Sequence, residues 1–357
     1  MSRLTALYNK LQTEPFDAVI ITSKVNQRYV TGFDFDDGYV VVTKDKAFVL
    51  VDFRYIEAAR ANVTEEFEIL MLEGAKTEFI KNLLKENGVR VLAYENLEMT
   101  CEEYNTLSDA LDGVGMLPVK KLFDSLRICK TEEELEKMDR AQQITDAAFA
   151  HILEFIKPDM TEIEVALELE FFMRRMGSEG VAFNTICVSG SASSLPHGVP
   201  RNVKLERGFL TMDFGARIDG YCADMTRTVV IGKADDEIKK VYNTVLTAQT
   251  EALAAIKAGE SCFEIDNIAR SIINNAGYRG CFGHGLGHGV GLYIHEAPRL
   301  SSMVDPSLKL EVGNVVTVEP GIYLEGRFGC RIEDMVAVTE DGIRDFTKSP
   351  KEMIELF

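Results

Sequence analysis

Between residues 130 and 357 the chain repeats itself, and an internal repeat restricts the possible folds more than any single motif. Ile156-Lys157, Thr161-x-x-Glu164 and Gly177 recur 100 residues later as Ile256-Lys257, Ser261-x-x-Glu264 and Gly277. A threonine or serine three residues before a glutamate opens a capped helix, and a glycine just past the apolar run closes one. Each copy continues into a strand-turn-strand pattern, over 208–231 in the first and 314–338 in the second. The unit is therefore two helices and a hairpin, present twice. Its first helix opens at Thr131-Glu132-Glu133-Glu134 and keeps Leu135, Met138, Ala141, Ile144, Ala148, His151, Ile152 and Phe155 on one helical stripe. His151 lies on that stripe and reads as packing.

Ahead of the repeat, short apolar strands alternate with helical patterns. Strands are predicted over 16–22, 39–43, 47–52, 67–72 and 90–94, and helices over 54–61, 77–87 and 102–111. This describes a small α/β domain over 1–122, joined by a linker-like Pro118-Val119-Lys120-Lys121-Leu122 to a second domain over 130–357. The whole is of the α+β class. Asp34-Phe35-Asp36-Asp37-Gly38 fails as an EF-hand loop, since its glycine comes a position early and no glutamate stands at the twelfth. It reads as a solvated acidic turn.

The net charge of −18 argues against nucleic-acid or anionic-membrane partners and for small molecules or peptides. The amino-terminal stretch lacks the apolar core of a signal peptide, and no apolar run reaches spanning length. Seven scattered cysteines without a CxxC pair are expected to be the reduced thiols of a cytoplasmic protein.

The chemistry concentrates in the two hairpins. Asp219-Gly220 is a two-residue turn signal. It sets Ile218 against Tyr221, Gly215 against Asp224, and Asp213 against Thr226. Asp213 and Asp224 then become diagonal neighbours on one face, about 7–8 Å apart at the backbone. In the second hairpin a turn within 325–328 puts Glu319 roughly opposite Glu333. The repeat places Glu319 where Asp213 stands and Glu333 close to where Asp224 stands. Carboxylates in apolar strands need partners, either arginines such as Arg227 and Arg331 or a cation. Four carboxylates with one imidazole exceed a tetrahedral zinc site, and oxygen-rich donors favour manganese, with cobalt an alternative. Two ions sharing a water would suit hydrolysis.

Gly283-His284-Gly285-Leu286-Gly287-His288-Gly289-Val290-Gly291 and Leu292-Tyr293-Ile294-His295-Glu296 hold three of the five histidines. Alternating glycines exclude a helix, so the run is expected to be extended, with His284 and His288 on one side. The glycines are expected to give an extended substrate room beside the site.

DFGA, DMTRT, GHGVG, HEAPR, EPGIY and RIED, with Asp213, Asp224, His288, Glu319 and Glu333, resemble the metallopeptidases of the pita-bread fold. That group contains methionine aminopeptidase, prolidase and Xaa-Pro aminopeptidase, and residues 1–122 resemble the extra amino-terminal domain of its proline-specific members. The resemblance implies two divalent ions per chain, manganese first, with cobalt or zinc as alternatives. Asp213 would chelate one, Asp224 and Glu333 would bridge both, and His288 and Glu319 would complete the second. Glu319 would also be the general acid/base. His197 and His295 match positions that contact substrate or stabilise the tetrahedral intermediate; His284 matches a substrate-side histidine, and Arg299 could hold a dipeptide's carboxylate. The implied activity is hydrolysis of the bond between a first residue and proline, in a dipeptide or a longer peptide. A methionine aminopeptidase-like enzyme and a non-peptidase member, creatinase-like or a binding module, are the alternatives. The resemblance also implies a homodimer.

Overall fold

The computed structural model describes residues 2–357. The chain divides into two compact units, one ending at Leu126 and one running from Arg127 to Phe357.

The first unit is a six-stranded mixed sheet with strand order β4-β3-β2-β1-β5-β6, formed by β1 (Ala18–Ile21), β2 (Gly38–Thr43), β3 (Ala47–Val51), β4 (Glu68–Met71), β5 (Val91–Tyr94) and β6 (Gly115–Pro118). Helices α1 (Arg3–Leu11), α2 (Lys24–Thr31), α3 (Ile56–Asn62), α4 (Lys76–Glu86), α5 (Cys101–Ala110) and α6 (Leu122–Arg127) accompany it. The five predicted strands and three predicted helices are all present. The sequence reading lacks α1, α6, α2, whose polar Lys24-Val25-Asn26-Gln27-Arg28 start hides its period, and β6, which ends on the first residue of the presumed linker. Asn26 and Gln27 are buried because their amides bond inward, Asn26 to Glu95 and Gln27 to the Ile21 and Gly38 carbonyls. In the acidic turn Asp34 and Asp36 are exposed, Asp37 is half-buried and Phe35 is buried, and the acids are paired, Asp36 with Lys24, Asp34 with Arg28 and Asp37 with Arg54.

The second unit carries the repeat. Helices α7 (Glu132–Phe155) and α8 (Glu162–Arg175) correspond to α9 (Asp236–Ala255) and α10 (Cys262–Ile273). Thr161 and Ser261 both cap with their hydroxyls, and Gly177 and Gly277 both take positive φ, 100° and 97°. One sheet has the order β19-β11-β8-β7, from β7 (Ile186–Ser189), β8 (Gly208–Phe214), β11 (Met225–Ile231) and β19 (Glu355–Leu356). Between β8 and β11 the hairpin continues as β9 (Arg217–Ile218) and β10 (Tyr221–Cys222). The other sheet has the order β13-β12-β14-β17-β18, from β12 (Gly287–Gly289), β13 (Glu296–Leu300), β14 (Val315–Val318), β17 (Asp334–Val338) and β18 (Ile343–Asp345), with β15 (Gly321–Leu324) and β16 (Phe328–Arg331) extending its hairpin. Each copy has its own apolar core: Phe149, Leu169, Leu210 and Val229 belong to one, and Tyr242, Ile265, Val316 and Val336 to the other. Among the described residues no helix is long and apolar enough to cross a membrane.

His151 is half-buried on α7, hydrogen-bonded to Glu168 at 2.7 Å and stacked on Phe172. Its packing is on a helix neighbour rather than in the closed core.

The glycine run departs from expectation. Only Gly287–Gly289 is strand, and the missing side chains serve the protein's own backbone. A Cβ on Gly287 would stand 1.9 Å from the Thr317 carbonyl oxygen, and one on Gly289 would stand 2.2 Å from that of Ala297. At Gly291 the obstacle is the Glu296 carboxylate, at 2.6 Å. Gly287 and Gly289 therefore let β12 close on its neighbours, and from Gly285 to Gly291 the room expected for substrate is filled by protein, while Gly283 alone borders open space. Gly287→Ala should lower stability by about 1–3 kcal/mol, the usual scale for overpacking. Urea unfolding measures this; an unchanged midpoint would contradict the close contact.

Candidate metal centre

The first hairpin has the predicted register. Ile218 faces Tyr221 and Asp213 faces Thr226, and Asp219 and Gly220 both take positive φ in the connecting turn. Gly215 is needed here for close approach, since a Cβ would lie 1.8 Å from the Ala223 carbonyl oxygen. This pinch brings Asp213 near the end of β8 and Asp224 just before β11 onto one face.

In the second hairpin, Val318 pairs with Asp334 and Gly321 with Arg331, so the same register sets Glu319 opposite Glu333. The turn falls at 325–327, as expected, with Gly326 at φ 69°. Relative to the first copy, Glu333 therefore corresponds to Thr226 and lies two residues along the same face from the counterpart of Asp224. The two positions also meet in space. Thr226 Oγ1 donates to Glu333 Oε2 at 2.6 Å, and Glu333 N donates to the Thr226 carbonyl at 3.1 Å.

His288 enters from β12 at a register irregularity opposite Arg299, a device that re-aims side chains. Its backbone N–H donates to Thr317 Oγ1 at 3.0 Å, and Nδ1 faces the Gly289 carbonyl at 3.1 Å. That bond places the neutral ring's proton on Nδ1 and leaves the Nε2 lone pair facing inward. Nε2 is 3.4 Å from Glu319 Oε1 and 3.6 Å from Asp224 Oδ2. Donor atoms of Asp224, His288 and Glu333 all lie within 4.8 Å of one another.

The arrangement is electrostatically unbalanced. Burial raises the carboxyl pKa of Asp224 well above the usual range, and Glu333, Asp213 and Glu319 raise it further. Glu333 shifts the same way, first through burial and then through Glu319 and Asp213. Burial pushes Glu319 up to about 8 and His288 down to about 3.

Among the described residues, Arg331 is the buried cation that acts on all four acids. Arg331, 3 % exposed, gives Nη2 to Asp213 Oδ2 at 2.7 Å, Nε to Thr226 Oγ1 at 3.0 Å, and Nη1 to Tyr323 Oη and the Pro196 carbonyl at 2.8 and 3.2 Å. Burial opposes its charge, but Tyr323, Asp213, Glu319 and Glu333 outweigh that and keep it protonated. Arg227, the other candidate partner, is committed elsewhere, to Asp334 at 2.8 Å. Asp213 Oδ1 remains buried without a hydrogen-bond partner. An orphaned carboxylate oxygen, an unprotonated imidazole lone pair and mutually repelling acids are together the donor set of a divalent-cation site. The residues fit metal.

The remaining predicted residues surround this cluster. The His295 ring stands edge-on to His288 at 4.4 Å; it is exposed, as are His197 and Arg299. Burial, Arg299 and His197 lower the pKa of His295. His284 is engaged on both ring nitrogens, by the Gly285 carbonyl at 2.8 Å and Tyr323 Oη at 2.9 Å, and burial followed by Arg331 depresses its pKa to about 4. Sequence reasoning did not single out Tyr323, Thr226 or Thr317, and it treated Arg331 only as an alternative to metal. The arginine in Arg331-Ile332-Glu333, alternating onto the face of an acidic residue, was the available signal.

Known proteins resemble this chain over both units. Residues 136–340 match metallopeptidase family M24, and residues 3–129 match the creatinase/prolidase N-terminal domain. An uncharacterized peptidase of Bacillus subtilis, YqhT, is 42 % identical over 99 % of this chain and 100 % of its own. The structure of an Xaa-Pro dipeptidase from Bacillus anthracis superposes with a TM-score of 0.95 at 41 % identity, covering 99 % of each chain. That of an X-Pro aminopeptidase from Thermotoga maritima superposes at 0.91 and 35 % identity, covering 98 % of this chain and 100 % of that one.

The raised carboxyl pKa values give the protein a pH signature. A carboxyl whose pKa is higher folded than unfolded binds more protons in the native state, so its contribution to stability is greatest below the unfolded pKa and is lost as pH rises toward the folded one. For Glu319 that window runs from 4.5 to about 8. The depressed imidazoles of His284 and His288 work the other way, but only below their ordinary value of 6.5, so chelator-treated protein should show a falling Tm from pH 6.5 to pH 8, and added Mn2+ should flatten the decline. A Tm that rises across this range and ignores Mn2+ would contradict the charge imbalance.

Proposed function

The chain belongs to metallopeptidase family M24 and has its pita-bread fold, and on that premise we propose that it hydrolyses the bond between an amino-terminal residue and proline, using two divalent ions. The observation that carries the metal chemistry is the convergence of Asp224, His288 and Glu333 beside the orphaned oxygen of Asp213. The relatives named for Xaa-Pro dipeptidase and X-Pro aminopeptidase activity supply the substrate class.

Asp213, Asp224, His288, Glu319 and Glu333 would hold the ions. Divalent ions there supply Lewis acidity, which acidifies water and favours negative charge at the scissile carbonyl. Glu319 suits the proton transfers. Its carboxylate lies beside His288 and is less enclosed than Glu333, so it can reach a water and a substrate nitrogen at the edge of the cluster. It takes the proton of the attacking water as the new C–O bond forms, then delivers it to the prolyl nitrogen as the C–N bond breaks. That nitrogen belongs to a tertiary amide and has no proton of its own. His197 and His295, both solvent-facing, are assigned to donate N–H to the developing oxyanion. Arg299, exposed opposite His288, is assigned to the substrate's terminal carboxylate. His284 acts on the substrate side through Tyr323 and Arg331. Manganese is the expected metal, since four of the five donors are carboxylates. A homodimer and a cytoplasmic location complete the reading; the seven free thiols suit a reducing compartment.

Hydrolysis of Ala-Pro should disappear on chelation and return with Mn2+, and activity indifferent to chelators would exclude the metallopeptidase reading. Comparing Ala-Pro with Ala-Pro-Ala separates dipeptidase from aminopeptidase preference. Glu319→Gln should lower kcat at least about 100-fold, the scale of losing general acid/base catalysis, while still binding divalent metal. Turnover near the wild-type rate would remove Glu319 from the proton transfers.

A further inference from the structure

His197 sits on a loop that leaves β7 at Ser189, turns through a 3-10 segment (Gly190–Ser194) and returns at Arg201. Both ends of the loop are tied to one side chain outside the acid cluster. Glu162, the first residue of α8, is completely buried. Its Oε1 accepts from Ser189 N and Oγ at 2.7 and 2.8 Å, and from Arg201 Nη2 at 2.6 Å. Its Oε2 accepts from Arg201 N and Nε, both at 2.9 Å. Five donors saturate the two oxygens.

A buried carboxylate is tolerated only when it is fully hydrogen-bonded and paired. Here the partners that satisfy it are the backbone and side chain at the two ends of one loop, so the charge is stable only when the loop is closed. Arg201 Nη2 also reaches the Ser189 carbonyl at 3.3 Å, joining the ends directly. At the tip, Ser193 Oγ donates to the Gly190 carbonyl at 2.6 Å and accepts from Gly329 N at 2.9 Å. The Pro196 carbonyl accepts from Arg331, the guanidinium that also holds Asp213. His197 is thus the residue after a point anchored to the acid cluster, on a loop whose base is fixed by Glu162.

The second copy of the repeat uses a related device. Asp266 on α10, also completely buried, accepts from Leu286 N at 2.9 Å and pairs with Arg270, which donates to the Phe282 and His284 carbonyls at 2.8 and 2.7 Å. In both copies a buried acid on the second helix, with an arginine, sets the backbone of a histidine-bearing segment.

We propose that Glu162 is a positioning residue for the peptidase reaction, fixing His197 against the acid cluster by clamping Ser189 to Arg201 without touching substrate. The inference rests on the role given to His197 above. Replacing Glu162 by glutamine removes the charge that Arg201 answers and turns one acceptor into a donor facing other donors. The loop ends then separate, while the apolar core beneath α8 and β7, including Val165, Leu169 and Cys187, is untouched.

The test is a double-mutant cycle on the Mn2+-loaded full chain with Ala-Pro: wild type, Glu162→Gln, His197→Ala and the double variant. Glu162→Gln should lower kcat about tenfold or more, the scale of misplacing a reacting group, with KM and bound metal little changed. In the His197→Ala background the same substitution should cost no further activity. Multiplying losses in the double variant, or a Glu162→Gln enzyme with wild-type kcat, would overturn the clamp while leaving His197 in the reaction. If His197→Ala alone retains full kcat, the assignment of His197 fails, and the inference fails with it. Ser189→Ala, which removes one donor, is the milder variant should Glu162→Gln not fold; it should lower kcat less and show the same non-additivity, and additive losses would again overturn the proposal.

Discussion

Like charge held together under burial is the constraint on which the catalytic unit depends. Asp213, Asp224, Glu319 and Glu333 face one another with, among the described residues, a single buried guanidinium between them, and burial leaves little water to screen them. Left free, such groups would move apart. They cannot, because the strands bearing or flanking them, β8, β11, β14 and β17, are buried almost throughout and are fixed by apolar cores on either side. The hydrophobic scaffold therefore maintains an arrangement that its own electrostatics oppose, and the surplus charge is what makes the site receptive to cations.

The duplication explains how such a site could be assembled from ordinary parts. Each hairpin contributes two acids, and each sends an arginine to an aspartate of the other: Arg331 to Asp213 and Arg227 to Asp334. The two exchanges have diverged. Asp334 also receives Lys351 at 2.6 Å and Gln249 at 2.8 Å, and although burial works against its charge, Arg227 and Lys351 bring its pKa below the usual value. That pair is closed and ties the carboxy-terminal segment to the sheet. Asp213 keeps one oxygen without a partner. The same motif thus serves structure in one place and leaves a valence for chemistry in the other.

Much of the fold was legible because its signals were local. Caps at Thr131, Thr161 and Ser261 and the Asp219-Gly220 turn depend on residues a few positions apart, and the structure has each where the sequence puts it. The first hairpin's register followed from its turn, and with it the shared face of Asp213 and Asp224. Helix α2 was missed because Asn26 and Gln27 are buried through hydrogen bonds to Glu95, Ile21 and Gly38, which leave no apolar period. The glycines of 285–291 misled for a similar reason. A sequence shows that side chains are absent, but the atoms occupying that space here belong to Thr317, Ala297 and Glu296.

The sequence by itself determined the two-copy architecture, the α+β class and the identity of the acids and histidines worth following, since periodicity, caps and tight turns are properties of short stretches. Only the tertiary structure decided which of those groups compete for the same space. It put Arg331 rather than Arg227 among the acids, turned the His288 lone pair toward Glu319 and Asp224, engaged both nitrogens of His284, and closed the His197 loop on Glu162. Each is a contact between residues far apart in the chain, and its energy depends on burial and distance, quantities that exist only once the chain has folded.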